Sequence, residues 1–169
     1  MGPVGHIAVS AAVGAVTWGI TGSPSAAGAA LAIGVLVDLD HLYDFYNWYI
    51  RRKRRKLHIL LHGWEYSVAI FFILGLLYYH PVLLSAALAH LAHIGSDHYR
   101  NGLSPLAYSI IYRVSVGFDA SVLAPGRDVG LSYRAWTHML PFGHFIQPWF
   151  RRKIEPWILS RLEGSGADD

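Results

Sequence analysis

Residues 1–37, MGPVGHIAVSAAVGAVTWGITGSPSAAGAALAIGVLV, contain no Asp, Glu, Lys or Arg. A helix needs about 20 apolar residues to cross the hydrocarbon core of a bilayer, so this run is long enough for two crossings. The Gly-Ser-Pro sequence at residues 22–24 divides the run, because glycine and proline favour a turn there. We therefore predict one membrane-spanning helix over residues 4–21 and a second over residues 25–42.

Two further apolar segments follow, over residues 57–79 and 81–96. The chain of 169 residues is 53% hydrophobic and 15% charged, whereas about a quarter of an ordinary soluble domain is charged. The predicted fold is therefore all-α, an integral membrane four-helix bundle over residues 1–100. Residues 101–169 combine aromatic and basic side chains, and we predict that they form interfacial C-terminal helices and a tail in the same domain.

Small residues recur four positions apart in the first two segments, as at Ser10 and Gly14 and at Ala30 and Gly34. Helices in lipid associate through van der Waals contact, which small side chains bring to short range. This spacing predicts that the first two helices pack closely against their neighbours.

The net charge is +3 and the sequence pI is about 9.3. Basic residues concentrate in the block RRKRRK at residues 51–56, beside apolar segments, which is typical of charge that flanks a membrane span. This distribution argues against a nucleic acid as partner. The sequence contains no cysteine, which excludes disulfides, thiolate metal ligands and a cysteine nucleophile.

The basic block also sets the predicted orientation, because loops rich in Lys and Arg stay on the cytoplasmic side. Counting crossings from it places the start of the first and third segments, and the end of the second and fourth, at the cytoplasmic face. These segment ends carry His6, Asp38, Asp40, His41, Asp44, His58, His62, Glu65, His90, His93, Asp97 and His98. Ionisable groups are costly inside a membrane, so their convergence predicts a functional site whose members pair with one another.

The spacing of these residues is compatible with shared helix faces. His58, His62 and Glu65 are four and seven positions apart, and a similar spacing relates the polar residues of the fourth segment. Asp38 and Asp40 cannot share a face unless the second helix unwinds at its end. Histidine nitrogens with carboxylate oxygens suit zinc, and also manganese or iron, as one or two ions.

Four short motifs mark the segments in order: Gly5-His6, Asp38-Leu39-Asp40-His41, His62-Gly63-Trp64-Glu65-Tyr66-Ser67 and His93-Ile94-Gly95-Ser96-Asp97. Their order and membrane placement resemble the LexA-binding, inner-membrane-associated hydrolase family, also called membrane-bound metal-dependent hydrolases. The resemblance covers residues 5–113. The third motif departs from the family pattern, since Tyr66 or Glu65 stands where that pattern has its second histidine.

The resemblance implies a multi-pass protein of the inner (cytoplasmic) membrane with a metal-dependent hydrolase site that faces the cytoplasm. One or two divalent ions, zinc in the first place and manganese or iron as alternatives, would be held by His6, Asp38, His41, His62, His93 and Asp97. A metal ion polarises a phosphoryl oxygen and lowers the pKa of water. Glu65 or Asp40 would be the catalytic base that takes the proton from this water.

The predicted location also suggests the substrate. A site at the cytoplasmic interface, flanked by residues 51–56 and Arg100, favours an anionic head group, so we expect a membrane lipid as partner and a phospholipid or other lipid-linked phosphate as substrate. The alternative is a non-catalytic membrane protein with a degenerate hydrolase fold, which binds metal or tethers a protein partner. A channel is disfavoured, because residues 11–20 and 69–79 supply almost no polar side chains across the outer half of the membrane.

Overall fold

The computed structural model describes residues 2–139 and 142–163, so the last residues of the predicted C-terminal tail, 164–169, lie outside the described part. Its helices are α1 (Pro3–Thr21), α2 (Pro24–Leu36), α3 (His41–Phe45), α4 (Trp64–Leu76), α5 (Pro81–Asn101), α6 (Ile110–Ser115), α7 (Ala120–Leu123), α8 (Tyr133–Met139), α9 (Gly143–Lys153) and α10 (Glu155–Glu163). Within residues 2–139 and 142–163, β-structure is limited to one isolated bridge between Lys56 and Asp119. The prediction of an all-α protein is confirmed.

The turn between α1 and α2 forms at residues 22–24, as the sequence predicts. Gly22 adopts the left-handed conformation (φ 67°), and its N–H bonds to the carbonyl of Trp18 at 2.7 Å, which ends α1. Pro24 then occupies the first turn of α2, where its missing N–H leaves no helical hydrogen bond unmade. The two helices are therefore joined by a short turn that folds one back against the other.

Small side chains form the contact between α1 and α2, as predicted. The buried residues of the two helices recur every three or four positions and are His6, Ser10, Gly14, Thr17, Ala26, Ala30 and Gly34. The approach is closest at Gly34, where an added Cβ would lie 2.0 Å from Oγ of Ser10. Any side chain at Gly34 would therefore displace the segment of α1 that carries His6.

The second helix continues past α2 without a break, and residues Pro24–Ile50 form one helical rod. Its geometry changes twice along the way, to a 3₁₀ turn at Val37–Asp40 and to a π turn at Tyr46–Ile50. The 3₁₀ turn changes the angle between successive side chains. The sequence left open an unwinding of the helix end for Asp38 and Asp40; the structure instead shows this tighter turn, which allows both carboxylates to contact one histidine, as described below.

The third predicted segment differs from the structure at its start. Residues 57–63 are not helical, and α4 begins only at Trp64 and has 13 residues. The expectation that His58, His62 and Glu65 share a helix face is therefore wrong. The reason is that buried polar side chains elsewhere in the chain bind the backbone of residues 58–62, which competes with helix formation.

Within the part of the chain that the structure describes, two helices are long and apolar enough to cross a membrane, Pro3–Thr21 and Pro24–Ile50. α4 is shorter, at 13 residues, and α5 has 21 residues but carries several His and Asp side chains in its second half. Four helices still pack together, since α2 contacts α1 and α5, α1 contacts α5, and α4 contacts α5. The bundle is thus present in the fold, whereas the crossing of a membrane by all four helices remains a prediction.

Large apolar side chains are buried at one end of the molecule. The core there includes Trp48, Tyr49, Leu57, Ile94 and Tyr108, together with residues of α7, α8 and α10. Segments distant in sequence are tied to this core: Nη2 of Arg54 donates to the carbonyl of Leu162 at 2.7 Å, and the hydroxyl of Tyr49 donates to the carbonyl of Gly130 at 3.0 Å. Residues beyond α5 therefore pack on the end of the bundle where the polar motifs lie.

Candidate metal centre

Histidine and aspartate side chains from four segments converge at this end of the bundle. They form two groups, in each of which one ligand atom per residue lies within 4.8 Å of the others. The first group is His6, Asp38, His93 and Asp97, and the second is Asp38, His41 and His62. The structure thus brings together all six residues that the sequence suggested as metal ligands, and Asp38 belongs to both groups.

Each segment contributes through its local geometry. His6 lies in the first part of α1, Asp38 lies in the 3₁₀ turn, and His62 lies in the non-helical segment before α4. His93 and Asp97 are four residues apart on α5 and therefore share one face of that helix. The site depends on the tertiary fold, because no two of these segments are adjacent in sequence.

The residues of the first group are closely spaced, and all but the half-buried Asp38 are buried. Nε2 of His6 lies 3.1 Å from Oδ1 of Asp97, and Nε2 of His93 lies 3.4 Å from Oδ1 of Asp38. The rings of His6 and His93 stack with their centroids 3.7 Å apart and their planes at 14°. Two imidazoles therefore present the same edge toward two carboxylates, which is an arrangement that can coordinate a cation.

His62 connects the two groups. Its Nε2 lies 3.6 Å from Oδ1 of Asp38, 3.5 Å from Oδ2 of Asp97 and 3.3 Å from Nε2 of His93. Burial disfavours the imidazolium, but hydrogen bonds to the surrounding carboxylates outweigh burial and raise the pKa of His62 to about 10. With no cation bound, a proton on His62 supplies positive charge between the carboxylates, and a metal ion would take the place of this proton.

Asp40 orients two of the histidines. Its Oδ1 lies 2.8 Å from Nδ1 of His41, and its Oδ2 lies 3.0 Å from Nδ1 of His62 and accepts the N–H of Leu61 at 2.6 Å. A carboxylate bound to one ring nitrogen fixes the tautomer and directs the other nitrogen toward a metal. Both oxygens of Asp40 are engaged in these contacts, which support a positioning role, and its predicted role as catalytic base stays a prediction.

Glu65, the other predicted base, lies outside the two groups of possible metal ligands. Its carboxylate accepts hydrogen bonds from Oγ of Ser109 at 2.6 Å and from the backbone N–H groups of Ile110 at 3.0 Å and Ile111 at 3.2 Å. These N–H groups belong to the first turn of α6 and have no partner within that helix. Glu65 therefore caps α6 and attaches it to α4, and its predicted role as a base stays a prediction.

Two further buried residues fix the segment carrying His62: Asp44, which the sequence placed among the converging polar residues without a role of its own, and Arg113, which it did not single out. Asp44 accepts the backbone N–H groups of His58 and Ile59, each at 2.9 Å, and Nδ1 of His58 lies 2.8 Å from the same carboxylate. Arg113 is fully buried and donates to the carbonyls of His58, Ile59 and His62. The sequence feature that could have identified Arg113 is its place as a lone arginine inside an otherwise apolar segment.

The other histidines have separate partners. His90 lies between Oγ of Ser67, 2.7 Å from its Nδ1, and the carbonyl of Leu61, 2.8 Å from its Nε2. His80 accepts the N–H of Val82 at the opposite end of α5, where the sequence places it. The side chain of His138 lies outside the described part of the structure. Among the described residues, the two groups of possible metal ligands therefore include four of the ten histidines, His6, His41, His62 and His93.

A cavity of about 370 Å³ gives access to the cluster. Asp38, His41, His62 and Asp97 line one part of it. Apolar side chains, among them Phe45, Trp48 and Leu57, line the remainder. The cluster thus faces a space large enough for water and for part of an apolar ligand.

No protein-family model, no curated protein and no solved structure matches this chain. The resemblance to the membrane-bound metal-dependent hydrolases therefore rests on the four short motifs, and the geometry of the cluster carries the functional argument.

Replacement of Asp40 by Asn tests its positioning role. Oδ1 of Asp40 accepts from His41 and Oδ2 accepts from His62, whereas the amide of asparagine has only one acceptor oxygen. One of the two rings therefore loses its acceptor, and we expect zinc affinity to fall by about 10- to 100-fold. Competition with a chromogenic chelator would measure this affinity. The control is Glu65→Gln, which should leave zinc affinity unchanged because Glu65 contacts α6; equal affinity in Asp40→Asn and in the wild type would contradict the role.

Proposed function

We propose that the protein is a membrane-embedded, divalent-metal-dependent hydrolase that cleaves a phosphoester of a phospholipid or of another lipid-linked phosphate. The observation that carries this proposal is the convergence of three histidine rings on Asp38 and Asp97 beside an accessible cavity. Buried carboxylates at such short range repel one another unless positive charge lies between them. A cation therefore suits this group better than an interior hydrogen-bond network alone.

The donor set fits zinc. It offers imidazole nitrogens and carboxylate oxygens, and the chain contains no cysteine. Asp38 belongs to both groups, so its carboxylate would be available to hold either ion. His6, Asp38, His93 and Asp97 would hold the first ion, and Asp38, His41 and His62 would hold the second. Manganese or iron would suit the same atoms.

The bound ions would supply Lewis-acid polarisation of a phosphoryl group and would acidify water. Residues of this chain prepare the site for that chemistry. Asp40 holds His62 in one orientation through Nδ1, and Arg113 holds the backbone carbonyl of the same residue. The site is therefore preorganised by contacts behind the ligands, which lowers the cost of reorganisation during a reaction.

Membrane embedding is supported by the distribution of side chains around the bundle. Small and polar residues such as Ser10 and Ala30 are buried between helices, whereas Ile20, Phe72 and Leu77 are 78%, 63% and 75% exposed. A soluble protein buries its large apolar side chains, and an extended apolar surface of this kind marks contact with lipid or protein. We propose that α1, α2, α4 and α5 lie in the inner membrane of the cell.

The proposed orientation places the cluster at the cytoplasmic face. The basic residues 51–56 follow the helical rod Pro24–Ile50 and precede His62, so they lie close to the cluster along the chain. α9 carries the exposed side chains of Phe145 and Trp149 together with the basic residues 151–153, a composition typical of a helix at the headgroup boundary. Both features suit a site that meets anionic lipid at the membrane surface.

Reporter fusions test this orientation. Alkaline phosphatase, which is active only outside the cytoplasm, should be inactive when fused after Lys56 and active when fused after Tyr79, because α4 separates the two positions. A fluorescent protein that matures in the cytoplasm should give the opposite pattern. Phosphatase activity after Lys56 would overturn the cytoplasmic placement of the cluster.

A second candidate function is a non-catalytic membrane protein that holds metal in the same cluster, for a structural purpose or to tether a partner. The observation that favours it is the state of the predicted bases: both oxygens of Asp40 and both oxygens of Glu65 are engaged in hydrogen bonds. In addition, Tyr66 or Glu65 stands where the related motif has a histidine. Turnover distinguishes the two candidates.

The hydrolase proposal predicts chelator-sensitive turnover. Detergent-purified protein loaded with zinc should hydrolyse bis(p-nitrophenyl) phosphate or a phospholipid in mixed micelles, and chelation followed by zinc addition should remove and restore the activity. Asp97→Ala should lower kcat by about 100-fold or more, because Asp97 lies among the ligand atoms of the first group. The control is His144→Ala, at an exposed histidine of α9. Bound zinc without turnover on any phosphoester would favour the non-catalytic candidate.

A further inference from the structure

The cavity beside the cluster has three chemically distinct parts. Asp38, His62 and Asp97 provide an acidic and imidazole-rich part, and Phe45, Trp48 and Leu57 belong to an apolar part. The third part is the side chain of Arg127, which lines the same cavity. A cavity with these parts matches an amphiphile, because the cluster can hold cations, the arginine can hold an anion and the remaining surface can hold an apolar chain.

The conformation of the surrounding backbone places the side chain of Arg127 at the cavity. The residues before it form a tight turn, in which Gly126 has a φ of 72° and the N–H of Arg127 bonds to the carbonyl of Ala124 at 3.1 Å. Gly102 at the end of α5 makes room for the guanidinium, since an added Cβ there would lie 2.8 Å from Nη2 of Arg127. The position of the side chain is thus set by two glycines with positive φ.

The guanidinium of Arg127 has no ion-pair partner in the described part of the protein. Among the described residues, 2–139 and 142–163, its guanidinium has no ion pair or hydrogen bond, although it is exposed beside the cavity. The neighbouring carboxylate of Asp128 instead lies 3.9 Å from Nη1 of Arg54 and accepts the N–H of Gly130 at 2.8 Å. Five donors in a planar fork are therefore available to a ligand in the cavity.

We propose that Arg127 binds the phosphate group of an amphiphilic phosphoester and so selects the substrate of this site. Guanidinium and phosphate form paired, charge-assisted hydrogen bonds, whereas a lysine at the same place would act only as a point charge. The apolar chain of the ligand would lie along Phe45, Trp48 and Leu57. This inference rests on the proposed function for the reaction itself, but it concerns binding and can be tested without turnover.

Calorimetric titration of the full chain in detergent, with zinc bound, tests this inference. The probes are dihexanoyl phosphatidic acid below its micelle concentration, inorganic phosphate, and dihexanoylglycerol, which has the apolar chains without the phosphate. The variants are Arg127→Gln and Arg127→Lys. Arg161→Gln is the matched control, because Arg161 is a basic residue of α10 that does not line the cavity.

We expect Arg127→Gln to weaken the binding of dihexanoyl phosphatidic acid by at least about tenfold, with a smaller loss in Arg127→Lys and less than about a twofold change in Arg161→Gln. Inorganic phosphate should bind more weakly, with the same dependence on Arg127, and the binding of dihexanoylglycerol should not depend on Arg127. Thermal unfolding and zinc content should equal those of the wild type, because Arg127 is exposed.

Two results would overturn the inference: wild-type protein that does not bind dihexanoyl phosphatidic acid, or an Arg127→Gln variant that binds it as well as the wild type. Failure of the proposed function would appear elsewhere, as absence of zinc or of turnover in the wild type. The same titration without zinc distinguishes failure of the inference about Arg127 from failure of the proposed function, because a contribution of Arg127 to phosphate binding does not require the ion.

Discussion

The carboxylates of Asp38 and Asp97 share two imidazoles, those of His62 and His93, at distances between 3.4 and 3.6 Å. Two anions held so close are unfavourable in a protein interior unless a proton or a metal ion lies between them. Asp97 is buried, whereas the side chain of Asp38 is 18% exposed, so the pair is sealed on one side and open to the cavity on the other. The placement of the surrounding elements follows from this requirement for shared positive charge.

The elements around the cluster meet this requirement in different ways. Close packing at Gly34 brings α1 against α2 and thereby places His6 beside Asp97. The 3₁₀ turn lets Asp38 face the cluster while Asp40, two residues later, supports His62 from behind. The backbone of the segment before α4 is fixed by Asp44 and Arg113, which satisfy polar groups that a helix would have satisfied internally. Packing and polar contacts together therefore determine the positions of the ligand atoms.

Much of this arrangement could be predicted from the sequence, because apolar runs and short polar motifs are local signals. The all-α fold, the turn at residues 22–24 and the convergence of the polar segment ends follow from such signals. The helix over residues 57–63 was predicted wrongly, and the capping contacts of Glu65 were not predicted, because a periodic pattern does not reveal which distant side chain binds a backbone. Asp44 and Arg113 act over separations of 14 to 55 residues, and only tertiary structure shows such contacts.

We propose that this cluster is a metal site built from histidine and aspartate. X-ray absorption spectroscopy at the zinc edge, on protein purified without added chelator and then loaded with one or two equivalents of zinc, would decide this. A metal site of this kind should give a first shell of nitrogen and oxygen atoms at about 2.0–2.1 Å, with the outer-shell scattering of several imidazole rings. Zinc that is not retained, or zinc retained without imidazole scattering, would show that the cluster is not such a site.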